Sequence, residues 1–397
     1  MKKIAFVFPP LLPMPAVKGG ATETLIQQLI DDNELQGKCR FDIFCRYDEE
    51  AEKASKTYKN TRFFYIKEKN TLADKLAFLW FRLRRKVSRG YVPEAYIEEV
   101  AAKLGKEKYD AVIVESALRF IPYLKKKTRG KVLLHLHFDV VASNQPNKKE
   151  AFACCDGVIC VSRFIQKTVR DYEASTKTAV LQNVVDTGLF CRQSHMEQAL
   201  TLRQRYGIQA TDKVVLYAGR LMAVKGVAEL VQSFFLAKEA VPELKLLLVG
   251  SPVYGQTVLD EFMQQLLQQV GQALDESVFL PGYIPHDQMA DYYAMADIAV
   301  MPTTGVEEAS GLSALEPLSA GCRFIGSDSG GIPEVANCDA AVIVPRGENF
   351  VARLAQAIVE NAKDTAIFPE DGRSYVVKNH DARDYYHHFF ECLQEIV

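Results

Sequence analysis

The chain is predicted to be an α/β protein made of two doubly wound halves. Short apolar runs of strand length recur along it, and stretches of helical periodicity separate them. The 397 residues, 48% of them hydrophobic, can fill two cores at roughly 100 to 200 residues per domain. Strand and helix alternating in this way is the pattern of parallel sheets joined by crossover helices.

The first strand is expected near 2 to 8, within Met1-Lys-Lys-Ile-Ala-Phe-Val-Phe8. Its start imitates a signal peptide, but Pro9 and Pro10 cut the apolar run after a few residues and no cleavage-like site follows. Further strands are expected near 39 to 45, 61 to 66, 111 to 115, 131 to 136, 157 to 161 and 177 to 181, which complete a first α/β unit. A linker is read near Asn183 to Ser194. A second unit begins near 213 and repeats the alternation at 244 to 249, 276 to 280, 297 to 301, 323 to 327 and 341 to 344. No low-complexity tract and no short-period repeat interrupts this order.

Within the second unit, the strand Asp297-Ile-Ala-Val-Met301 is broken by Pro302-Thr-Thr-Gly305, and Leu312, Leu315 and Leu318 then recur at helical spacing. Ser310 and Gly311 therefore open a helix, whose first N–H groups and positive dipole end suit a diphosphate. Glu308 and Glu316 flank that start. Were all eight steps between them helical, their Cα atoms would stand about 12 Å apart. That is wider than the roughly 5 to 9.5 Å of paired glycosidase carboxylates, so the two acids read as acceptors for hydroxyls at opposite ends of one extended ligand, a sugar and a ribose. As a solvated loop residue and a polar-face helix residue they would carry no function, and that alternative stays open.

Val214-Val-Leu-Tyr-Ala-Gly-Arg220 runs into Leu-Met-Ala-Val-Lys225-Gly226 and then into an apolar helix. Arg220 and Lys225 leave the strand's carboxyl end together, which is where ligands of open α/β sheets bind, and can neutralise a diphosphate as a fork and a point charge. His135 and His137 lie on a Val-Leu-Leu strand whose period of two aims both to one side. His137, nearer the carboxyl end and followed by Asp139, is the better candidate for a site. Ser162, Asn183 and Asp186 read as helix caps or turn residues. Gly330, Gly331 and Glu334 form a turn and helix start, either plain or approaching a ligand.

With these motifs in order, the chain resembles glycosyltransferase family 4, retaining sugar-nucleotide transferases with the GT-B fold of two Rossmann-like domains facing a central cleft. The resemblance spreads over nearly the whole chain. It rests on Lys18-Gly-Gly-Ala-Thr-Glu23, His135-Leu-His137-Phe-Asp139, Asp156-Gly-Val-Ile-Cys-Val-Ser162 and Asn183-Val-Val-Asp186. In the second half it rests on Gly219-Arg220 with Lys225-Gly226, Phe279-Leu-Pro-Gly282-Tyr, the Glu308/Glu316 motif and Ser329-Gly-Gly-Ile-Pro-Glu334. It departs where Ala309-Ser310 replaces the usual small-or-proline plus aromatic pair, and where Pro317, which lacks a helical N–H, follows the second Glu.

The resemblance implies catalytic roles for His137, Glu308, Arg220 and Lys225. Arg220 and Lys225 would hold the donor diphosphate, with Ser310 and the backbone of Gly311 and Leu312 beside it. Glu316 would hold the ribose, Glu308 the transferred sugar, and His137 would face that sugar from the other domain. Gly19 and Gly20 would close near the donor phosphate or the acceptor. Base and hydroxyl selection would depend on the loops at Ser251 to Tyr254 and Tyr283-Ile284, with Ile284 among the donor-binding residues. The domains would be residues 1–188, on the acceptor side and joined by a C-terminal helix of about 378–397, and residues 189–377, on the nucleotide-sugar side. As an alternative, that last helix, with Tyr385, Tyr386, Phe389, Phe390 and Leu393, is an amphipathic tail on the second domain.

A formal charge of −2 and the lack of a basic-aromatic platform or zinc spacing give no reason to expect nucleic acid. The nine cysteines show no CxxC framework and read as reduced thiols of a cytoplasmic protein. No segment reaches the roughly 18 to 20 apolar residues of a membrane span. The segment 75–89 combines the only Trp, Trp80, with a basic run that includes Arg84, Arg85 and Lys86. It is either an interfacial helix on an anionic membrane, suiting a lipid-linked acceptor at the inner face of the cell membrane, or a core-packed helix with a solvated basic end. In the first case, charge reversal at Arg84, Arg85 and Lys86 should abolish binding to anionic vesicles in a sedimentation assay.

The expected activity is retaining transfer of a hexosyl unit from a nucleoside diphosphate sugar, most readily a UDP sugar, to a hydroxyl of a glycan or lipid-linked acceptor in surface-polysaccharide synthesis. No cofactor is expected and no metal is required by the resemblance; an Asp-x-Asp motif is absent. Domain closure would expel water from the reaction. Two other classes compete: a GT-B sugar-nucleotide epimerase, which would isomerise donor alone, and a non-catalytic nucleotide-sugar-binding protein. A nicotinamide dehydrogenase is disfavoured, because no GxGxxG follows the first strand.

Overall fold

A computed structural model of the chain describes residues 1–67, 94–143, 147–252, 259–305, 307–364 and 370–397. The basic segment 75–89 lies outside these residues, as do 253 and 254 of the first selection loop. The chain divides into two compact units, Met1–Gln182 with Arg383–Val397, and Asn183–Ala382.

The first unit carries strands β1 (Lys2–Val7), β2 (Cys39–Arg46), β3 (Thr61–Ile66), β4 (Ala111–Glu115), β5 (Lys131–Leu136), β6 (Gly157–Cys160) and β7 (Thr178–Val180). They form one parallel sheet in the order β3-β2-β1-β4-β5-β6-β7. The order reverses between β1 and β4, where Val7 pairs with Val114. On β4 and β5, Glu115 pairs with His135. The C-terminal helix Tyr385–Ile396 packs within this unit: Phe389 stacks on Phe6 at 5.9 Å and the Tyr386 hydroxyl donates to Asn33 Oδ1 at 2.9 Å.

The second unit carries β8 (Lys213–Ala218), β9 (Leu244–Val249), β10 (Val278–Gly282), β11 (Ile298–Met301), β12 (Arg323–Ser327) and β13 (Ala341–Val344), in the order β10-β9-β8-β11-β12-β13. Here the order reverses between β8 and β11. Both faces of the sheet are covered, so the strands are apolar at nearly every position rather than alternately. On β8, Val214 and Leu216 join one core while Val215 and Tyr217 join the core on the opposite face. Each such Val or Leu, fully buried, contributes roughly 1.5 to 3 kcal/mol before chain entropy is charged against it. Two parallel α/β units of this kind constitute the GT-B fold.

β10 starts at Val278, two residues later than the sequence pattern suggests, because Asp275 to Ser277 form a turn in which Ser277 N–H donates to Ala273 O. It reaches through Pro281, which a sheet edge tolerates since no neighbour needs its missing donor. The boundary between units also falls earlier than residue 188. Val185 N–H donates to His380 O, Ala382 N–H to Val185 O and Thr187 Oγ1 to Asp381 Oδ2, so residues 183 to 188 are tied into the second unit. No helix among the described residues is long and apolar enough to cross a membrane. All nine cysteines are free thiols.

Candidate active site

Where the second sheet reverses its order, the segments leaving β8 and β11 lie side by side at the carboxyl edge. Thr304 N–H and Gly305 N–H both donate to Val224 O, at 3.3 and 3.0 Å, and lock the two loops together. Lys225 ends the one-turn helix Ala223–Lys225, and its ammonium pairs with Glu308 Oε1 across that junction. Both side chains are largely buried, at 17% and 14% exposure. Thr303 Oγ1 donates to the same oxygen at 2.8 Å. Arg220 is exposed and makes no ion pair among the described residues, while its carbonyl accepts from the Tyr217 hydroxyl at 2.7 Å. Burial first, and then the charge of Glu308, hold that phenol protonated, with Arg220 acting in the opposite sense. Arg220, Lys225 and Glu308 therefore belong to one electrostatic neighbourhood.

The backbone of Glu308 is fixed by the turn Ser329-Gly330-Gly331. Glu308 N–H donates to Ser329 Oγ at 3.0 Å and Gly331 N–H donates to Glu308 O at 2.7 Å. Gly330 sits at φ +52°, and a Cβ there would stand 2.0 Å from Glu308 O. This turn thus buttresses the first carboxylate from behind. The adjacent Glu307 accepts from Gly330 N–H at 2.6 Å and from Arg346 Nη2 at 2.8 Å. We expect Gly330→Ala to destabilise the protein by about 1 to 3 kcal/mol, from left-handed backbone plus collision, and to displace Glu308. Gly321→Ala is the control, because Gly321 sits at φ +77° with nothing within 4 Å of a new Cβ. Thermal unfolding of both variants should show a larger loss for Gly330→Ala.

Gly311, at φ +75°, precedes the helix Leu312–Ser319, and no side chain caps that helix start. Of its first-turn N–H groups, that of Ala314 donates to Gly311 O at 2.8 Å, while those of Gly311 and Leu312 precede the helix's own hydrogen-bond ladder. Beside them the buried Ser310 Oγ is without a hydrogen-bond partner. The helix persists through Pro317 and ends at Ser319. Because it begins only at Leu312, half of the interval from Glu308 to Glu316 is not helical, and the 12 Å estimate does not describe it. What separates the acids is their surroundings. Glu316 accepts from Tyr293 OH at 2.9 Å and lies 2.9 Å from His286 Nε2, and neither of these groups touches Glu308. Ile284 is half-buried two residues before His286 and packs against the same core.

The hydrogen bond to Glu316 raises the His286 pKa above its ordinary value. A raised folded-state pKa stabilises the protein at pH values below the unfolded one, about 6.5, and the gain is lost as pH rises through the folded value. We therefore expect wild type to exceed His286→Gln in melting temperature at pH 6, with the difference shrinking by pH 8.

The remaining candidates lie in the first unit. Gly19 and Gly20 follow β1, and Gly20 immediately precedes the helix Ala21–Gln36. The Glu23 carboxylate covers Gly20 so closely that a Cβ there would be 2.2 Å from Oε2. Burial, opposed by its own backbone and supplemented by the charge of Glu115, raises the Glu23 pKa. His137 lies one residue beyond β5. Its ring and that of His135 are 4.1 Å apart, so both do point to one side, with His135 fully buried and the His137 side chain 10% exposed. Asp139 Oδ1 accepts from Val141 and Ala142 N–H, so it orders a turn. Ser162 likewise accepts from Ile165 N–H at 3.1 Å, and Asp186 from Gly188 and Leu189 N–H.

Sequence reasoning missed His286, Tyr293, Thr303 and Glu115. The first two had a weak signal, since His286 and Tyr293 are seven residues apart on the segment that follows Ile284. Thr303 lies two residues past β11 and reaches Glu308 through the path of one loop, which no periodicity foretells, and Glu115 ends β4, so that only strand pairing brings it to His137.

Residues 199–374 match the family model described as "Glycosyl transferases group 1". The chain is 28% identical to spore coat protein SA of Bacillus subtilis, over 84% of this chain and 82% of that one. It is 24% identical to the lipopolysaccharide 1,2-N-acetylglucosaminetransferase of Salmonella typhimurium, again over 84% and 82%. Among solved structures, Anabaena HepE in complex with UDP-glucose superposes with a TM-score of 0.74 at 19% identity, over 99% of this chain and all of that one. Fold, family match and relatives together support a GT-B glycosyltransferase, with residues 199–374 as the part that corresponds to the group 1 enzymes.

Proposed function

We propose that the chain is a retaining hexosyltransferase of glycosyltransferase family 4, moving a sugar from UDP to a hydroxyl of a glycan or lipid-linked acceptor in surface-polysaccharide synthesis. The observation that carries the reading is the junction of the β8 and β11 loops, where Lys225, Arg220 and an uncapped helix start converge beside two carboxylates with separate partners. The UDP-glucose complex among the structural neighbours favours a UDP sugar, and the lipopolysaccharide transferase among the relatives favours a surface-glycan acceptor.

As the bond from the anomeric carbon to the diphosphate breaks, negative charge grows on the phosphate oxygens. Lys225, Arg220 and the N–H groups of Gly311 and Leu312 are suited to stabilise it without rearrangement. The acceptor hydroxyl attacks from the face the diphosphate leaves, and its proton passes to the departing phosphate oxygen. That route needs no protein nucleophile and preserves the anomeric configuration. Glu316 would take the ribose hydroxyls in place of His286, Glu308 would take hydroxyls of the transferred sugar, and His137, in the first unit, would take a sugar hydroxyl.

The reading is tested by thermal unfolding with UDP, GDP and ADP and their sugars, followed by incubation with the best donor. UDP at about 100 times its Kd should stabilise the fold by about 2.7 kcal/mol. Without acceptor, the donor should be hydrolysed slowly. Accumulation of an isomerised sugar instead would identify an epimerase, and binding without consumption under any acceptor a non-catalytic protein.

A further inference from the structure

The first unit holds a second buried polar cluster. Glu115, the last residue of β4, is fully buried, and its Oε2 lies 2.8 Å from His137 Nε2 and 3.1 Å from His135 Nδ1. Only the contact to His137 has the alignment of a hydrogen bond; both ring nitrogens of His135 and the second oxygen, Oε1, are buried without partners. A second restraint acts on the backbone. Ser116 adopts φ +51°, a left-handed conformation, and its Oγ accepts from His137 N–H at 3.0 Å while its own N–H donates to His135 O. His137 is thereby held at both ring and main chain. Its Nδ1 makes no hydrogen bond among the described residues, and the side chain keeps 10% of its exposure.

We infer that Glu115 is a positioning residue, which holds His137 in the tautomer protonated at Nε2 and so leaves Nδ1 as a hydrogen-bond acceptor for a sugar hydroxyl. A carboxylate accepts but does not donate when ionised, so the proton between the two must sit on the imidazole. The charge states agree. Burial by itself pushes Glu115 up, and the neighbouring imidazoles outweigh it and bring its pKa to about 2. Burial, together with His135, pushes His137 down to about 4. Glu23 and Tyr385 also feel the charge of Glu115, from the helix after Gly20 and from the C-terminal helix. A neutral His137 with a fixed acceptor selects a donor hydroxyl, whereas the other tautomer would present an N–H. The role assigned to the sugar rests on the transferase reading; the tautomer does not.

The first test needs no variant: nitrogen-15 NMR of the full chain labelled at histidine, with His137 assigned by His137→Gln. Neutral His137 protonated at Nε2 at pH 7 is the expected result, and Glu115→Gln, whose amide can donate to Nε2, should shift the proton to Nδ1. A wild-type proton on Nδ1, an imidazolium, or an unchanged tautomer in Glu115→Gln overturns the inference. So does a stoichiometric metal in the purified protein, because Glu115, His135 and His137 offer ligand atoms within 4.8 Å of one another. The second test uses UDP-glucose consumption. Glu115→Gln should lower kcat by at least about 10²-fold with UDP affinity within about 2-fold of wild type, and Glu115→Gln combined with His137→Ala should be no slower than His137→Ala alone. Additive losses would overturn the positioning role. Failure of the wild type to consume any UDP sugar would count against the transferase reading while the tautomer measurement still decides this one.

Discussion

Lys225→Ala should lower kcat by about 10²- to 10³-fold, the cost of removing one preorganised donor from developing charge, about 2.7 to 4 kcal/mol. The lysine sits at the reversal point of the sheet with its ammonium on Glu308, and an ammonium has three protons, so it can keep the carboxylate and still reach a phosphate oxygen. The fold should survive the change, because Glu308 retains Thr303 Oγ1 and the backbone grip of Ser329 and Gly331. Lys225→Arg should rescue poorly, since a planar fork does not fit a pocket shaped by a point charge at 17% exposure. Arg220→Ala should lower turnover by a similar order with no loss of melting temperature, because the side chain is exposed. Steady-state kinetics with the donor found by thermal screening, read beside melting curves, checks both. Turnover within a few-fold of wild type would remove these cations from the reaction.

The two carboxylates should separate binding from transfer. Glu316→Gln is expected to weaken UDP affinity by about 10- to 100-fold, the worth of one or two hydrogen bonds to a charged acceptor, with a smaller effect on kcat at saturating donor. Glutamine is the cleaner variant, because alanine would leave the buried Tyr293 hydroxyl without an acceptor and add about 1 to 3 kcal/mol of instability. Glu308→Ala should do the reverse, lowering kcat by about 10²-fold while UDP affinity, measured by calorimetry, stays near wild type. Equal modest losses in both variants would dissolve the division.

Much of the architecture was legible in the chain. The strands of the second unit, Val214 to Ala218 and Ile298 to Met301 among them, are covered on both faces, and continuous apolar runs bounded by Gly or Pro are the imprint of that burial. The site's cations and acids were legible because they follow strand ends closely, where chain order and carboxyl edge coincide. His286 and Tyr293 were not. They approach Glu316 across 30 and 23 residues, and helix periodicity says nothing about which distant carboxylate a ring will meet. The spacing estimate for Glu308 and Glu316 failed for a related reason: a helix start can be placed from a glycine, but the path of the loop before it is set by the Ser329-Gly330-Gly331 turn that packs behind it.

Local sequence alone determined which segments become strands and helices, that they alternate, and that charged residues collect just past the strands, because hydrophobic period and backbone chemistry act over a few neighbours. Pairings across the sheets were decided only by the tertiary structure. Lys225 meets Glu308 over a separation of 83 residues, and Glu115 meets His137 over 22, because strand order brings β8 beside β11 and β4 beside β5. A buried charge must find its partner wherever the completed fold places one, and no stretch of chain contains that information by itself.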